Sequence, residues 1–256
     1  MTTQPHSSPR KRRLGQHFLN STRIAQRIVD CAHVAGESVI EIGAGTGVVT
    51  RLIGAQARHI TAIEIDAQLA ARLKKERMPN TVVRQGDFLT VSLKEFSNVV
   101  VIGNIPYAIS TAIVRKLVSE RASIKRIVLT LQKEFAQRLY AETGTTQYGA
   151  LTLYVGCYFD VTKEFVIPAR FFTPAPRVSS VVVVLEKKKP SIAVDEQQFF
   201  AFINGIFRYR RKCLKNAIAH ATQYKPRGID RKTLMKRPAE LSLMDYHQLY
   251  SKLKQR

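Results

Sequence analysis

The sequence predicts an α/β protein: a doubly wound, mostly parallel sheet of the Rossmann-like kind, followed by a small basic helical domain. Three observations carry this expectation. Short aliphatic runs alternate with helical patterns between residues 38 and 131, joined by short connections, as in a parallel sheet wrapped by helices. One run, Val99-Val100-Val101-Ile102, is apolar at every position, as a strand covered on both faces must be. Another strand runs straight into Gly43-Ala44-Gly45-Thr46-Gly47 ahead of a helix, an arrangement that brings backbone N–H groups up to a ligand.

Taken in order, the chain opens on 13 polar residues ending in Pro9-Arg10-Lys11-Arg12-Arg13, and no acidic residue precedes Asp30. The segment has no apolar run, so it is not a secretory signal. A short organellar presequence and a disordered arm both fit it, and the Gln4–Pro9 composition favours the arm. Arg10, Lys11, Arg12 and Arg13 are expected to contact phosphates. Asn20 or Ser21 caps a helix with Ile24, Ile28, Val29 and Ala32 on one face. Strand Ser38–Ile42 leads through the glycine turn to a helix from Val48 to about Ala57. A dinucleotide fingerprint would need glycine at position 48, where Val stands, which argues against NAD.

The strand from His59 to Ile65 ends in Glu64-Ile65-Asp66. Glu64 follows Gly43 by 21 residues, near the spacing at which a carboxylate bonds ribose hydroxyls. Glu64 is therefore assigned to a ribose and Asp66 to capping the next helix. Strand Thr81–Arg84 closes on Gly86-Asp87-Phe88-Leu89. Asp87 reads either as an acceptor for an exocyclic amine or as an ordinary turn residue.

The aliphatic strand breaks at Gly103 into Asn104-Ile105-Pro106-Tyr107. Asn104 offers an acceptor and a donor, Pro106 stiffens the loop, and Tyr107 supplies a stacking face. That combination suits a planar, hydrogen-bonding ring; a plain strand-ending turn is the alternative. A helix from Ser110 to Glu120, a strand from Ile124 to Leu131 and a helix opened by Gln132-Lys133-Glu134 follow. Residues 148–160 fit helix or strand. Strands Val161–Ile167 and Val178–Leu185 bracket Phe171-Phe172-Thr173-Pro174-Ala175-Pro176, a stiff aromatic loop expected at a pocket rim or on substrate. Ligands of such sheets bind at the strand carboxyl ends, here Gly43, Glu64, Asp87 and Asn104, so four weak signals converge on one edge.

Composition adds a partner. Against 19 Asp+Glu stand 41 Lys+Arg, a net charge of +22, which points to a polyanion. The excess concentrates after Glu186: residues 187–256 hold 17 Lys+Arg and 5 Asp+Glu. Two domains are expected, residues 1–186 with a basic arm at 1–21, and residues 187–256. In the second, Arg208, Arg210, Arg211 and Lys212 beside Tyr209 are expected to bind RNA. No apolar run nears the roughly 18 residues that span a bilayer, so no membrane role is expected. Cys31, Cys157 and Cys213 have neither metal-ligand nor disulfide spacing. That fits a metal-free protein in the reducing cytoplasm.

Seven stretches together resemble the ribosomal RNA adenine N6-dimethyltransferases, the superfamily of KsgA and the erythromycin-resistance (Erm) enzymes. They are Leu-Gly-Gln-His-Phe-Leu (14–19), Glu-Ile-Gly-Ala-Gly-Thr-Gly (41–47), Ile-Glu-Ile-Asp (63–66), Gly-Asp-Phe-Leu (86–89), Gly-Asn-Ile-Pro-Tyr (103–107), Gln-Lys-Glu-Phe-Ala (132–136) and Phe-Thr-Pro-Ala-Pro-Arg-Val (172–178). The resemblance runs from Arg12 to about Asn216. It implies a class I methyltransferase fold, S-adenosylmethionine as methyl donor, an adenine of folded rRNA as acceptor, and a monomer without metal. By position, the family's cofactor contacts fall on His17, Leu19, Gly43, Glu64, Asp87 and Asn104, with Gly45, Ile65 and Phe88 beside them. The family more often carries Asn where His17 stands. Asn104, Ile105, Pro106 and Tyr107 form the implied catalytic set, the Asn104 and Ile105 carbonyls accepting the adenine N6 hydrogens. Tyr107, with Phe172, would stack on a base turned out of its loop.

Asn-Ile-Pro-Tyr is similar to the Erm branch, which acts on one adenine of large-subunit rRNA. Thr145–Leu151 and Phe207–Lys212 resemble the housekeeping branch, which acts on two adjacent adenines near the 3′ end of small-subunit rRNA. The two longer features outweigh one displaced methyl. The housekeeping reading is therefore the expectation. A non-catalytic assembly factor would keep the fold and the basic face, but intact Glu64 and Asn104 speak against it.

Overall fold

The computed structural model describes residues 16–254 except 191, 193, 194 and 227, so Arg10, Lys11, Arg12 and Arg13 lie outside the described residues. The chain divides into two compact units. One is Met1–Ala136 with Thr162–Lys187, the other Gln137–Val161 with Lys188–Arg256. The expected break after Glu186 compares with a division between Lys187 and Lys188. Residues 137–161, expected with the first domain, group instead with the C-terminal helices.

Among the described residues the strands are, in chain order, β1 Phe18–Leu19, β2 Ser38–Ile42, β3 His59–Glu64, β4 Thr81–Gln85, β5 Val99–Asn104, β6 Ile124–Gln132, β7 Phe159–Ile167, β8 Phe172–Thr173 and β9 Ser180–Lys187, all in the first unit except Phe159–Val161 at the start of β7. Seven form one sheet in the order β4-β3-β2-β5-β6-β9-β7. The pairs β2–β3, β3–β4, β2–β5 and β5–β6 are parallel, and β6–β9 is antiparallel. The strand order reverses at β2, so the crevice of a doubly wound sheet opens between the ends of β2 and β5. Val99, Val100, Val101 and Ile102 of β5 are all buried, which the unbroken aliphatic run required.

Helix ends follow their caps. Ser21, not Asn20, starts helix Thr22–Ala32, its Oγ accepting from Ile24 N–H. Asn20 turns away and donates to Thr173 Oγ1 at 3.1 Å. Asp66 caps helix Ala67–Lys75, accepting from Gln68 and Leu69 N–H. Helix Val48–Gly54 ends three residues short of expectation. β1 and β8 pair with each other, Phe18 opposite Thr173 and Leu19 opposite Phe172.

In the second unit residues 150–158 resolve as helix Ala150–Tyr158. Helix Glu196–Phe207, capped by Asp195, buries Phe199, Phe202, Ile203 and Ile206. Helices Leu214–Ala221 and Leu243–Lys254 supply Leu214, Ala217, Ile218, Tyr246 and Leu249 to the core of the same unit. Among the described residues no helix is long and apolar enough to cross a membrane.

Candidate active site

The glycine turn after β2 follows a left-handed path that only glycine adopts without strain. Gly45 has φ +56° and Gly47 has φ +80°, and a Cβ on Gly47 would sit 2.5 Å from Leu73 Cδ2. The turn presents Gly45 N–H to the end of β3, where Glu64 Oε2 accepts it at 2.7 Å. Glu64 Oε1 accepts from Asp66 N–H at 2.8 Å. The carboxylate is thus buried and oriented by two main-chain donors, each oxygen keeping one lone pair for a ligand.

Asp87 makes the contact that the turn reading requires, and one oxygen is left for the other reading. Its Oδ1 accepts from Leu89 N–H at 2.9 Å as the cap of a short turn, so Oδ2 is the oxygen available to an amine.

At the end of β5, Ile105 N–H donates to Thr130 O at 3.1 Å, which ties the Asn-Ile-Pro-Tyr loop to β6. Ile105 itself is buried, and its Cδ1 would lie 2.7 Å from a Cβ on Gly103. Gly103 is therefore the residue that lets the isoleucine fold back over the strand. Asn104 Nδ2 donates to the main-chain carbonyl of His17 at 2.9 Å. His17 Nδ1 lies 2.6 Å from Pro174 O, and because a carbonyl only accepts, Nδ1 carries the proton. The His17 ring stands 5.5 Å from the Tyr107 ring, inclined by 30°.

A cleft of about 210 Å³, open to one side, gathers these groups. Of the residues singled out from sequence, His17, Gly43, Gly45, Glu64, Ile65 and Asp87 line it, as do Asn104, Ile105, Pro106, Tyr107 and Phe172. Ile65 offers it an exposed apolar face. Leu19 and Phe88 do not line it. Leu19 is packed in the core beside Phe172, and Phe88 is buried with Lys116 Nζ 5.8 Å from its ring. Phe172, expected to meet RNA, is 4% exposed and forms cleft wall, because β8 turns it inward opposite Leu19. Arg208, Arg210, Arg211 and Lys212 belong to the other unit and are all exposed.

Two residues escaped the sequence reading. Gln16 lines the cleft, and its Oε1 is buried without a hydrogen-bond partner, an acceptor waiting for a donor. Its place inside Leu-Gly-Gln-His-Phe-Leu was the available signal. Glu41 lies behind the glycine turn, 3% exposed, with Oε2 likewise unpartnered. Burial pushes its carboxyl up to about 7, the Thr50 hydroxyl opposing and the Glu64 charge adding. Among the described residues no group of His, Cys, Asp or Glu has metal-site geometry.

With the geometry in place, the comparisons become specific. The family model described as ribosomal RNA adenine dimethylase matches residues 8–254. The chain belongs to the ribosomal RNA adenine dimethylase family. The "Ribosomal RNA small subunit methyltransferase A" of Cytophaga hutchinsonii is 35% identical over 251 residues, 95% of this chain and 96% of that one. A probable enzyme of the same name from Pyrobaculum islandicum is 36% identical, covering 94% and 95%. Among solved structures, a dimethyladenosine transferase from Plasmodium falciparum superposes with a TM-score of 0.81 at 27% identity, covering 93% of this chain and 98% of that one. The 23S rRNA methyltransferase ErmE superposes at 0.72 with 25% identity, covering 93% and 99%. As an adenine dimethylase, the protein must hold a methyl donor and a base together, and the cleft gathers Glu64 and Asp87 with Asn104 and Tyr107.

Proposed function

We propose that the protein uses S-adenosylmethionine to dimethylate N6 of two adjacent adenines in the 3′-terminal hairpin loop of small-subunit rRNA, as a cytoplasmic monomer serving ribosome biogenesis. The observation that carries this reading is the fixed Asn104 amide beside Tyr107 in the same cleft as Glu64 and Asp87. The small-subunit assignment is supported by relatives of that name, 35% and 36% identical along nearly their whole length.

The residues present fit the methyl donor. Glu64 takes the ribose hydroxyls, Asp87 Oδ2 the adenine amine, and Ile65 one face of the base. Gln16 Oε1, orphaned as it stands, accepts from the amino-acid end. When bound, the sulfonium supplies an already activated methyl group. What remains for the chain is to aim the acceptor. Asn104 Oδ1 and the Ile105 carbonyl accept the two N6 hydrogens, drawing the lone pair out of the ring as positive charge grows on nitrogen. Tyr107 stacks on the extruded base, which costs less to turn out of a loop than out of a paired stem.

Ile105 favours a second reading, dimethylation of a single adenine in large-subunit rRNA, since Erm enzymes carry Asn-Ile-Pro-Tyr. The isoleucine side chain is packed behind the loop, however, and alters the base-facing surface little. Incubating the protein with labelled S-adenosylmethionine and separated ribosomal subunits, then mapping the modified base, tests both. Two neighbouring N6,N6-dimethyladenosines on immature small subunits are expected. One modified adenine on large-subunit RNA would move the protein to the other branch.

A further inference from the structure

Stacking on a base uses the face of the Tyr107 ring and gives its hydroxyl no task. That hydroxyl is nevertheless placed. Tyr107 Oη lies 3.5 Å from Ser180 Oγ, and Ser180 is buried at the start of β9. A buried hydroxyl is costly unless it is hydrogen-bonded, so each of the two groups supplies what the other needs. Either can donate. Their separation is at the long end of the hydrogen-bond range, as bonds in a catalytic site often are before substrate tightens them.

The anchor is stiff. Ser180 stands opposite Gln132 in the β6–β9 ladder, and Lys133 N–H donates to Ser179 O at 3.1 Å. The main chain beneath Tyr107 is fixed as well, since Pro106 O accepts from Ile109 N–H and from Ser110 Oγ, both at 3.2 Å. What remains free in Tyr107 is its two side-chain torsions. The hydroxyl lies on the axis of the second torsion, so holding it sets the first, the direction in which the ring points. The second, the tilt of the ring, is limited by the His17 ring, 5.5 Å away and inclined by 30°. The His17 ring is itself held at Pro174 O, 2.6 Å from Nδ1. Both restraints thus come from residues 174–180.

We propose that Ser180 is a positioning residue for the reaction, holding the Tyr107 hydroxyl so that the ring is already aimed when the base arrives. The proposal rests on the reading that Tyr107 stacks on the extruded adenine. A ring fixed beforehand loses little freedom on stacking, so more of the stacking energy is left to hold the base. The Ser180 and Tyr107 hydroxyls then act as one unit.

Ser180→Ala and Tyr107→Phe each remove one hydroxyl and keep the ring. Each should lower kcat/KM for the ribosomal subunit roughly threefold to tenfold, as losing one neutral hydrogen bond does. The double variant should agree with either single within about twofold. The base itself is followed by a subunit whose rRNA carries 2-aminopurine at the mapped adenine. The fluorescence change on adding the protein should shrink alike in all three variants, which a role confined to packing would not cause. Calorimetry should show wild-type affinity for S-adenosylmethionine in Ser180→Ala. Losses that multiply in the double variant, or a deficit in Tyr107→Phe that Ser180→Ala does not share, would overturn the proposal and give the hydroxyl to the RNA. So would wild-type kcat/KM and fluorescence in Ser180→Ala. Should Ser180→Ala not fold, Tyr107→Phe carries both readouts, and wild-type values there overturn the proposal equally. Tyr107→Ala separates the two layers. If it leaves the fluorescence change intact, the stacking reading fails; if it abolishes the change while the hydroxyl variants do not alter it, only the role of Ser180 fails.

Discussion

The Asn104 side chain donates from Nδ2 to the main-chain carbonyl of His17 at 2.9 Å, and this bond decides which atom of the amide faces the cleft. An amide with its nitrogen engaged presents its oxygen on the other side. The His17 carbonyl is itself held, because its ring is pinned to Pro174 O and the next residues pair with β8. The orientation of the Asn104 amide therefore depends on a segment far away in sequence.

Asn104→Ala should reduce methyl transfer about 10²–10³-fold, the usual cost of removing one group that acts at the transition state. RNA affinity should change far less. Asn104→Asp should be as damaging, since a carboxylate cannot donate to the His17 carbonyl and would be turned from it. Single-turnover rates with saturating cofactor measure this, and near wild-type rates for either variant would remove the aiming role.

Much of this arrangement was legible in the sequence, and the missing parts share a cause. The strands, the reversal of their order and the four carboxyl-end residues follow from hydrophobic pattern and spacing, which are local. Asn104's partner is a backbone carbonyl, and a carbonyl has no sequence signature. The pairing of 18–19 with 172–173 joins segments without periodicity. Helix Ala150–Tyr158 is apolar nearly all round, so neither period stands out. Phe88 and Leu19 show that a motif residue can be buried in the packing rather than line the cleft.

Glu64→Ala should weaken S-adenosylmethionine binding at least about tenfold, since a charge-assisted pair of bonds is worth roughly 1.5–3 kcal/mol. The structure adds a second consequence. Both oxygens hold main-chain N–H groups, of Gly45 and Asp66, so Glu64→Gln should not rescue the loss. Its NH₂ would face one of those donors. Calorimetry on folded variants checks this, and wild-type affinity in the glutamine variant would contradict it.

Neutralising Arg208, Arg210, Arg211 and Lys212 together should flatten the salt dependence of RNA binding, lowering the slope by about one for each phosphate that is no longer neutralised. All four are exposed and none lines the cleft, so cofactor binding should be unaltered. Filter binding across a salt series reads the slope. An unchanged slope would place the RNA on other surfaces.

Glu41 makes a prediction about stability. Its carboxyl is buried on β2, and its Oε2 has no hydrogen-bond partner. Burial raises it from about 4.5 in the unfolded chain to about 7 in the folded one. Below the lower value both states are protonated, and stability does not depend on this group. Between the two values the folded protein keeps a proton that the unfolded chain has released, so stability falls as pH rises. Above about 7 the loss is complete, and amounts to roughly 3 kcal/mol. Glu41→Gln cannot ionise and should remove this slope. The variant should match the wild type near pH 4.5 and exceed it by up to roughly 3 kcal/mol at pH 8. Urea unfolding at the two pH values measures the difference. An equal difference at both would show that the carboxyl does not titrate between them.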